Sequence, residues 1–507
     1  MQIKKGIRRW SLLALGWSCS LSFQGSILAT PQRKAQVDKS KKVEINWCYM
    51  GFGEEEEDAK KVEVAINNYI ATKTDLNCTL KLNYVPFEDY DDRLQEMIEA
   101  GEDFDICFTS NWINDYYSRY DAFWDLDEAL PLYAPQTKAL LGKDYLDGAK
   151  INGKLYAIPN NRDKGRHYGL IAREDIVKKY HMDLSKVKSL EDMEPFFEMV
   201  KRGEPHMTPL QGYSAQSGLT LLPYENILFF EDIPGAIKKN TSDYKVINQY
   251  ASEEMMIHYR LMREYYLKGF IELPYLLDEQ DYMSGRISDY SSGKYFAVID
   301  VLYPETLQQQ ERAYGYNYIS IPLTLPYMRT IDSVGNMLAI SKASKHPERA
   351  LMLLEQVNTD PQFNNLINFG IEGVHYDVVG KKGDIKIIRG TENQEAYNPG
   401  LGWAFGNQLL NHIYDYEDPD MWTKIEAFNN ELIISRLLGF NFDTSSVAAE
   451  VGACRNVYDM FGPLLEIGAV DPDEYVPLMQ QAFKEAGSDK IIAEMQRQVD
   501  EWRSNVK

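Results

Sequence analysis

The chain has 507 residues, a length that fits about two to four domains or one large two-lobed unit and needs no disulfide or metal staple to bury a core. Apolar residues make up 44% and charged residues 26%, ordinary for a soluble globular protein, but 54 basic against 76 acidic side chains leave a net charge of −22. That balance argues against nucleic acid or an anionic membrane surface as the main partner. Aromatic residues reach 12%, with 34 tyrosines, more than a core alone calls for.

The first thirty residues break the acidic pattern. Lys4, Lys5, Arg8 and Arg9 form a basic start, and Leu12-Leu13-Ala14-Leu15-Gly16-Trp17 opens an apolar stretch that runs weakly to Phe23. Ser26-Ile27-Leu28-Ala29 closes it, so 1–29 is predicted to be a signal peptide cut after Ala29. The apolar run is too short and too interrupted to span a bilayer. Cys19 is an alternative processing point, as the lipid-bearing residue of a lipoprotein, although Gly16-Trp17-Ser18 fits a lipobox poorly. Without 1–29 the chain keeps 50 basic and 76 acidic side chains, a net of −26. Residues 30–42 are polar, contain Pro31 and read as a flexible tether.

The next third alternates strand and helix. Strand Val43–Met50 precedes a helical stretch Asp58–Ala71, whose Val62, Ala65, Ile66, Tyr69 and Ile70 share one face. Strand Cys78–Val85 precedes helix Asp89–Ala100, with Asp89 as N-cap and Leu94, Met97 and Ile98 buried. Strand Asp105–Ser110 completes a βαβαβ run, which predicts a parallel sheet with right-handed crossovers. Such sheets bind ligands beyond the carboxyl ends of their strands. The loops to watch are Gly51-Phe52-Gly53, Pro86-Phe87 and Ser110-Asn111-Trp112. Cys48, Cys78 and Cys107 fall in these strands and, with Cys454, read as buried free thiols whose spacing does not fit zinc.

Further on, helices are predicted at Leu190–Lys201, Glu253–Lys268 and Pro304–Ala313, and strands at Tyr168–Ala172, Tyr295–Val301 and Asn317–Ile321. Gly335–Ser341 reads as a strand before helix Pro347–Val357. The end is mainly helical, at Met421–Leu438, Ser446–Ile467, Glu474–Ala486 and Asp489–Arg503. No fixed-period repeat is present.

Gly51-Phe52-Gly53 stands where a dinucleotide fingerprint would, but Glu56 replaces the third glycine and Glu54 to Glu57 would face a pyrophosphate. There is no Gly-x-Ser-x-Gly, phosphate-binding lysine loop or His-Glu-x-x-His, and Ser185-Lys186-Val187-Lys188 lacks the motifs that would make a Ser-x-x-Lys catalytic. The seven histidines never pair at ligand spacing, so no cofactor or metal is called for. Acidic side chains are abundant, but no spacing singles out a glycosidase pair. Trp112 follows a parallel strand, and Trp403 lies in the glycine-rich loop Asn398-Pro399-Gly400-Leu401-Gly402-Trp403-Ala404-Phe405-Gly406-Asn407. Exposed rings in such loops suit the apolar face of a sugar, with core packing as the competing explanation. Trp47, Trp124, Trp422 and Trp502 read as structural.

Asn152-Gly153-Lys154-Leu155-Tyr156-Ala157-Ile158-Pro159 resembles a segment of the carbohydrate-type extracellular solute-binding proteins of ABC importers. Phe104-Asp105-Ile106-Cys107-Phe108-Thr109 agrees with it. Gly370-Ile371-Glu372-Gly373-Val374-His375-Tyr376, Gly439-Phe440-Asn441-Phe442-Asp443 and the stretch from Gly468 to Gln498 resemble the LplA/LipO-type lipoproteins of that family. The resemblance implies an α/β, two-lobed periplasmic-binding-protein-like fold of class II type with an added helical C-terminal region. Lobe 1 is expected over 43–158 and lobe 2 mainly over 159–330. Returns between lobes follow over 331–438, and the helical region over 439–507. It implies a non-catalytic, monomeric subunit, bacterial and exported, either anchored at the surface or free outside the membrane. Its partners are an oligosaccharide and the ABC permease transmembrane subunits, not nucleic acid, and membrane contact is only through the permease or an N-terminal lipid. The expected contacts are Trp112 and Trp403 for stacking, with Asn111, Asp300, Glu372, His375 and Asn407 as polar partners. Asp300 and Tyr303 are expected at a strand-end loop, and Arg166 and Tyr168 on the second lobe. Gly153 and Pro159 are expected to bracket part of a hinge. A secreted glycosidase or lyase, and a binding protein for peptide or another nutrient, are the rival readings.

Overall fold

Val43–Gly51 (β1) and Cys78–Pro86 (β2) run parallel over their full length, Val43 opposite Cys78 and Gly51 opposite Pro86. The computed structural model describes residues 37–111, 119–211, 218–228, 232–239, 241–272, 293–304 and 315–506. Cys19, Trp112 and most of the helix expected at Pro304–Ala313 lie outside these residues. The remaining strands, in chain order, are Ile106–Thr109 (β3), Lys150–Ile151 (β4), Lys154–Leu155 (β5), Ala157–Pro159 (β6), His167–Arg173 (β7), Thr208–Gln211 (β8), Tyr224–Asn226 (β9) and Ala236–Lys238 (β10). Then follow Tyr295–Leu302 (β11), Tyr318–Pro322 (β12), Tyr327–Met328 (β13), Met337–Ile340 (β14), Tyr376–Lys382 (β15), Ile385–Gly390 (β16), Ile413–Tyr414 (β17) and Ile433–Ile434 (β18).

The first sheet has the order β2-β1-β3-β14-β6. β14 runs antiparallel to both neighbours, so β1, β2, β3 and β6 end at one edge. Helices Ala59–Lys73 (α1) and Tyr90–Ala100 (α2) are the crossovers, and α1 turns Val62, Ile66 and Ile70 inward. Asp89 stands at the start of α2, but its side chain makes no cap hydrogen bond. The second sheet, β12-β7-β11-β8, has its own core around Phe197, Tyr265 and Phe296. A third core, with Tyr259, Cys454, Met479 and Met495, belongs to the C-terminal helices Ala448–Glu466, Pro472–Glu485 and Ser488–Val506. Helix Glu253–Leu267 joins the last two cores, giving Met255 and Tyr259 to one and Met262 and Tyr265 to the other. Fully burying such side chains stabilises by about 1.5–3 kcal/mol each.

The four cysteines past the leader are buried free thiols, and burial pushes Cys48 up to about 12.

Three connecting segments meet between the two sheets. Arg166 and Tyr327 exchange main-chain hydrogen bonds of 2.9 Å each way, and β13 pairs in parallel with β18. This pairing corrects the helix expected at Met421–Leu438. The helix stops at Asn430, because Asn429 turns its amide to the connection, donating to the Arg162 carbonyl and accepting from the Lys164 N–H. The β-branched pair Ile433 and Ile434 then extends as β18. The segment Gly153–Pro159 also sits differently from the hinge expectation. Asn152 and Gly153, both at positive φ, turn the β4–β5 hairpin, and Pro159 ends β6 inside the first sheet. The connection starts at Asn160.

Candidate functional site

The shared edge of β1, β2 and β3 carries a tier of rings. Phe52 lies 4.9 Å from Phe87 and 6.5 Å from Trp403, centroid to centroid, and Trp403 meets Phe108 edge-on at 5.6 Å. Phe52 is 59% exposed, while Trp403 is half-buried. Gly51 makes this arrangement possible, since a Cβ there would lie 2.4 Å from the Tyr84 ring. Tyr84 crosses that gap and donates to the Gly53 carbonyl. Burial, then Glu88, Glu55, Glu56 and Glu54 nearby, raise the Tyr84 phenol.

Next to the rings the edge turns into amides. Asn111 donates its main-chain N–H to the Val334 carbonyl at 3.2 Å, and Asn160 donates its own to Asn336 at 2.9 Å. Asn160 Nδ2 donates to the Trp403 carbonyl at 3.0 Å, and Asn161 Nδ2 donates to Asn407 Oδ1 at 2.8 Å. Asn161 N–H also donates to Gly406, and Gln408 N–H donates back to Asn161. The first connection is thereby sewn to the Trp403 loop. Asn407 is buried and donates to the Asn358 carbonyl, so its side chain holds the loop. Among the described residues, the buried side-chain atoms Thr109 Oγ1, Asn111 Oδ1, Asn160 Oδ1, Asn358 Oδ1 and Gln408 Oε1 have no hydrogen-bond partner.

Charged groups gather at the connections. Asp332 receives Arg166 Nε at 3.0 Å and Arg329 Nε at 3.1 Å. Burial works against the Arg329 charge, but Asp332 beside it holds the guanidinium above its ordinary value. Arg329 also reaches the buried Tyr168 hydroxyl at 3.4 Å. Glu225 accepts from Tyr327 Oη at 2.8 Å and from Ser435 Oγ at 2.8 and 2.7 Å, tying β9 to the second and third connections. Burial raises the Glu225 carboxyl.

The other expected contacts are placed as follows. β11 runs on to Leu302, so Asp300 sits inside the strand opposite Gly169 and is 3% exposed, instead of ending the strand in a loop. Its β7-facing pairing extends the strand past the polar residue. Tyr303 is half-buried just beyond the strand. His375 is 1% exposed: Nδ1 accepts from the Ile371 N–H at 2.9 Å, so Nε2 carries the proton that faces Asp58 at 3.1 Å. His375 thus pins its loop to the start of α1, and Glu372 pairs with Lys386 at 2.6 Å. Phe52, Phe87, Asn160 and Asn161 were missed as individual residues. Their signal was the loop position after β1, β2 and β6. Asp332 and Glu225 had no local signal. Among the described residues no group of three or more His, Cys, Asp or Glu forms a metal cage, and no helix is long and apolar enough to cross a membrane.

Residues 436–504 match the family model of a domain of unknown function, DUF3502. The chain is 25% identical over 468 residues to a carbohydrate ABC transporter substrate-binding protein of Streptococcus pneumoniae serotype 4, covering 90% of each. It is similar to the crystal structure of the N-glycan transport solute binding protein NgtS of Streptococcus pneumoniae, at 23% identity and a TM-score of 0.76, over 92% of this chain and 100% of that one. That protein in complex with Man5GlcNAc matches at 24% identity and a TM-score of 0.62, over 92% and 99%.

Proposed function

We propose that this chain, a member of the extracellular solute-binding proteins of ABC importers, captures an oligosaccharide between its two lobes and delivers it to a membrane permease. The observation that carries the reading is the ring tier Phe87–Phe52–Trp403, with the side chains of Asn160 and Asn161 bonded to the Trp403 loop beside it. Rings accept the C–H face of a pyranose, and neutral amides exchange hydrogen bonds with its hydroxyls. The three connections between the sheets supply a hinge, and ligand contacts on both lobes favour the closed state. On this reading the ligand leaves unchanged, so the chain acts as a binding subunit and not as an enzyme. It works as a monomer, exported by its leader and held at the bacterial surface by a lipid on Cys19 or released after Ala29.

Calorimetry with a panel of oligosaccharides tests the proposal. Binding by the wild type, weakened more than about tenfold (roughly 1.4 kcal/mol) in Trp403→Ala, supports it. Product formation from any bound glycan, abolished by a single carboxylate-to-amide change, overturns it. Binding of peptides with no glycan bound overturns it as well.

A further inference from the structure

Helix Pro361–Phe369 buries amides where a helix normally buries apolar groups. Asn364, Asn365 and Asn368 are all buried, and each side chain donates to a main-chain carbonyl. Asparagine is a poor helix former, and a buried amide is tolerated only where its hydrogen bonds are met, so the role of these residues lies in their partners.

Two of the three grip the loop that carries Trp403. Asn365 Nδ2 donates to the Leu410 carbonyl at 2.8 Å, and its Oδ1 accepts from the His412 N–H at 2.7 Å. Asn364 works closer to the ring. Its Nδ2 donates to the carbonyls of Phe405 at 3.4 Å and Asn407 at 3.2 Å, and to that of Val357, in helix Pro347–Thr359, at 2.9 Å. Asn368 Nδ2 donates to Asn364 Oδ1 at 3.2 Å. That bond fixes which end of the Asn364 amide is the donor: turned round, its oxygen would meet three carbonyls and its nitrogen another N–H.

The loop itself is held tightly enough to pass this grip to the ring. The N–H groups of Ala404 and Phe405 both donate to the Leu401 carbonyl, at 2.7 and 3.2 Å, closing a turn around Trp403. Phe405 packs against Trp47 and Tyr49 of β1, at 5.5 and 5.7 Å between centroids. Gly406, at a φ of 75°, lets the chain come so close to helix Pro347–Thr359 that a Cβ would lie 2.7 Å from Val357 Cγ1. Asn364 therefore fixes the main chain on both sides of Gly406, just past Trp403.

We infer that Asn364 is the positioning residue of the stacking ring: its amide, oriented by Asn368, sets the course of the chain after Trp403 and so the tilt at which that ring meets a sugar. The inference rests on the glycan-binding reading above and adds the residue that prepares its stacking contact. Asn364 is fully buried and does not touch the glycan; a ring already held in the free chain spares the cost of ordering it on binding.

The test uses the full mature chain. Calorimetry with a panel of neutral oligosaccharides, oligomannose and asialo biantennary N-glycans among them, selects the tightest binder as the probe. A double-variant cycle then compares wild type, Asn364→Ala, Trp403→Ala and the two changes together. Asn364→Ala is expected to bind about fivefold more weakly than wild type, and the double variant to stay within about twofold of Trp403→Ala alone. Trp403 emission, taken as the difference between each protein and its Trp403→Phe counterpart, is expected to shift to the red in Asn364→Ala. A double variant whose loss equals the product of the two single losses overturns the inference, since Asn364 then acts apart from the ring. So does unchanged Trp403 emission, an Asn364→Ala affinity within about twofold of wild type, or a Trp403→Ala variant that binds like wild type. Should Asn364→Ala fail to fold, Asn368→Ala, which frees the amide to turn, takes its place in the cycle, with the same non-additivity and a loss of about threefold. These outcomes leave glycan binding standing, whereas failure of the wild type to bind any glycan of the panel overturns the glycan reading and this inference with it.

Discussion

The side-chain amide of Asn160 donates to the carbonyl of Trp403 over 3.0 Å, although the two residues lie 243 positions apart. The bond joins the first connection between the lobes to the loop that carries the Trp403 ring of the aromatic tier. Asn160→Ala leaves the Trp403 carbonyl without its donor, at an expected cost of about 1–3 kcal/mol in urea unfolding. It also lets the ring drift, so glycan affinity falls by about fivefold, roughly 1 kcal/mol. Unchanged binding alongside the stability loss would confine Asn160 to a structural role.

Phe52 separates binding from folding more cleanly. Its ring is 59% exposed, so Phe52→Ala should leave stability within about 0.5 kcal/mol. The same change removes one face of the ring tier and should weaken glycan binding by about tenfold. Calorimetry and thermal unfolding on one preparation give both numbers. Retained affinity would take Phe52 out of the site.

Much of the first lobe was legible in the sequence because its signals are local. Val62, Ile66 and Ile70 repeat at helical spacing, and the loops after β1 and β2 follow directly from strand ends. What was hidden depends on partners far along the chain. β14 enters between β3 and β6 from more than 170 residues beyond β6, and nothing in Met337–Ile340 names its neighbours. His375 looks like a loop residue until Asp58, 317 positions away, appears against its ring. Asp300 reads as a strand end because a buried carboxylate in mid-strand is unfavourable by local rules. Its cross-strand pairing with Gly169 is what extends β11 past it.

Asp332 offers a test of the charge cluster at the connections. Its side chain is 3% exposed and holds Arg329, 12% exposed, and Arg166, 34% exposed. Asp332→Ala strands the buried Arg329 charge and should destabilise by about 3–5 kcal/mol. Arg166→Ala removes only the more exposed partner and should cost about 1 kcal/mol or less. Chemical unfolding of both variants checks the order. Equal losses would mean that Arg329 does not depend on Asp332.

Two buried histidines set a pH dependence. Burial lowers His258 to about 4 and His412 to about 3, against an unfolded value near 6.5. Above pH 6.5 both are neutral in either state and contribute no slope. Below it the unfolded chain binds protons that the fold excludes, so stability falls with falling pH. The loss per histidine approaches about 1.4 kcal/mol per pH unit, and continues until pH reaches about 4 for His258 and about 3 for His412. His412→Gln should flatten the urea-unfolding stability between pH 6 and 4.5 by one such contribution, and His258→Gln by another. His412 stacks on Phe369 at 5.7 Å, so its replacement also lowers stability at pH 7.5; the slope, not the level, is the measured quantity. Slopes that match the wild type in both variants would assign the acid sensitivity to carboxylates such as Glu254, whose hydrogen bonds from Lys238 and Tyr224 hold it down to about 2, and not to the histidines.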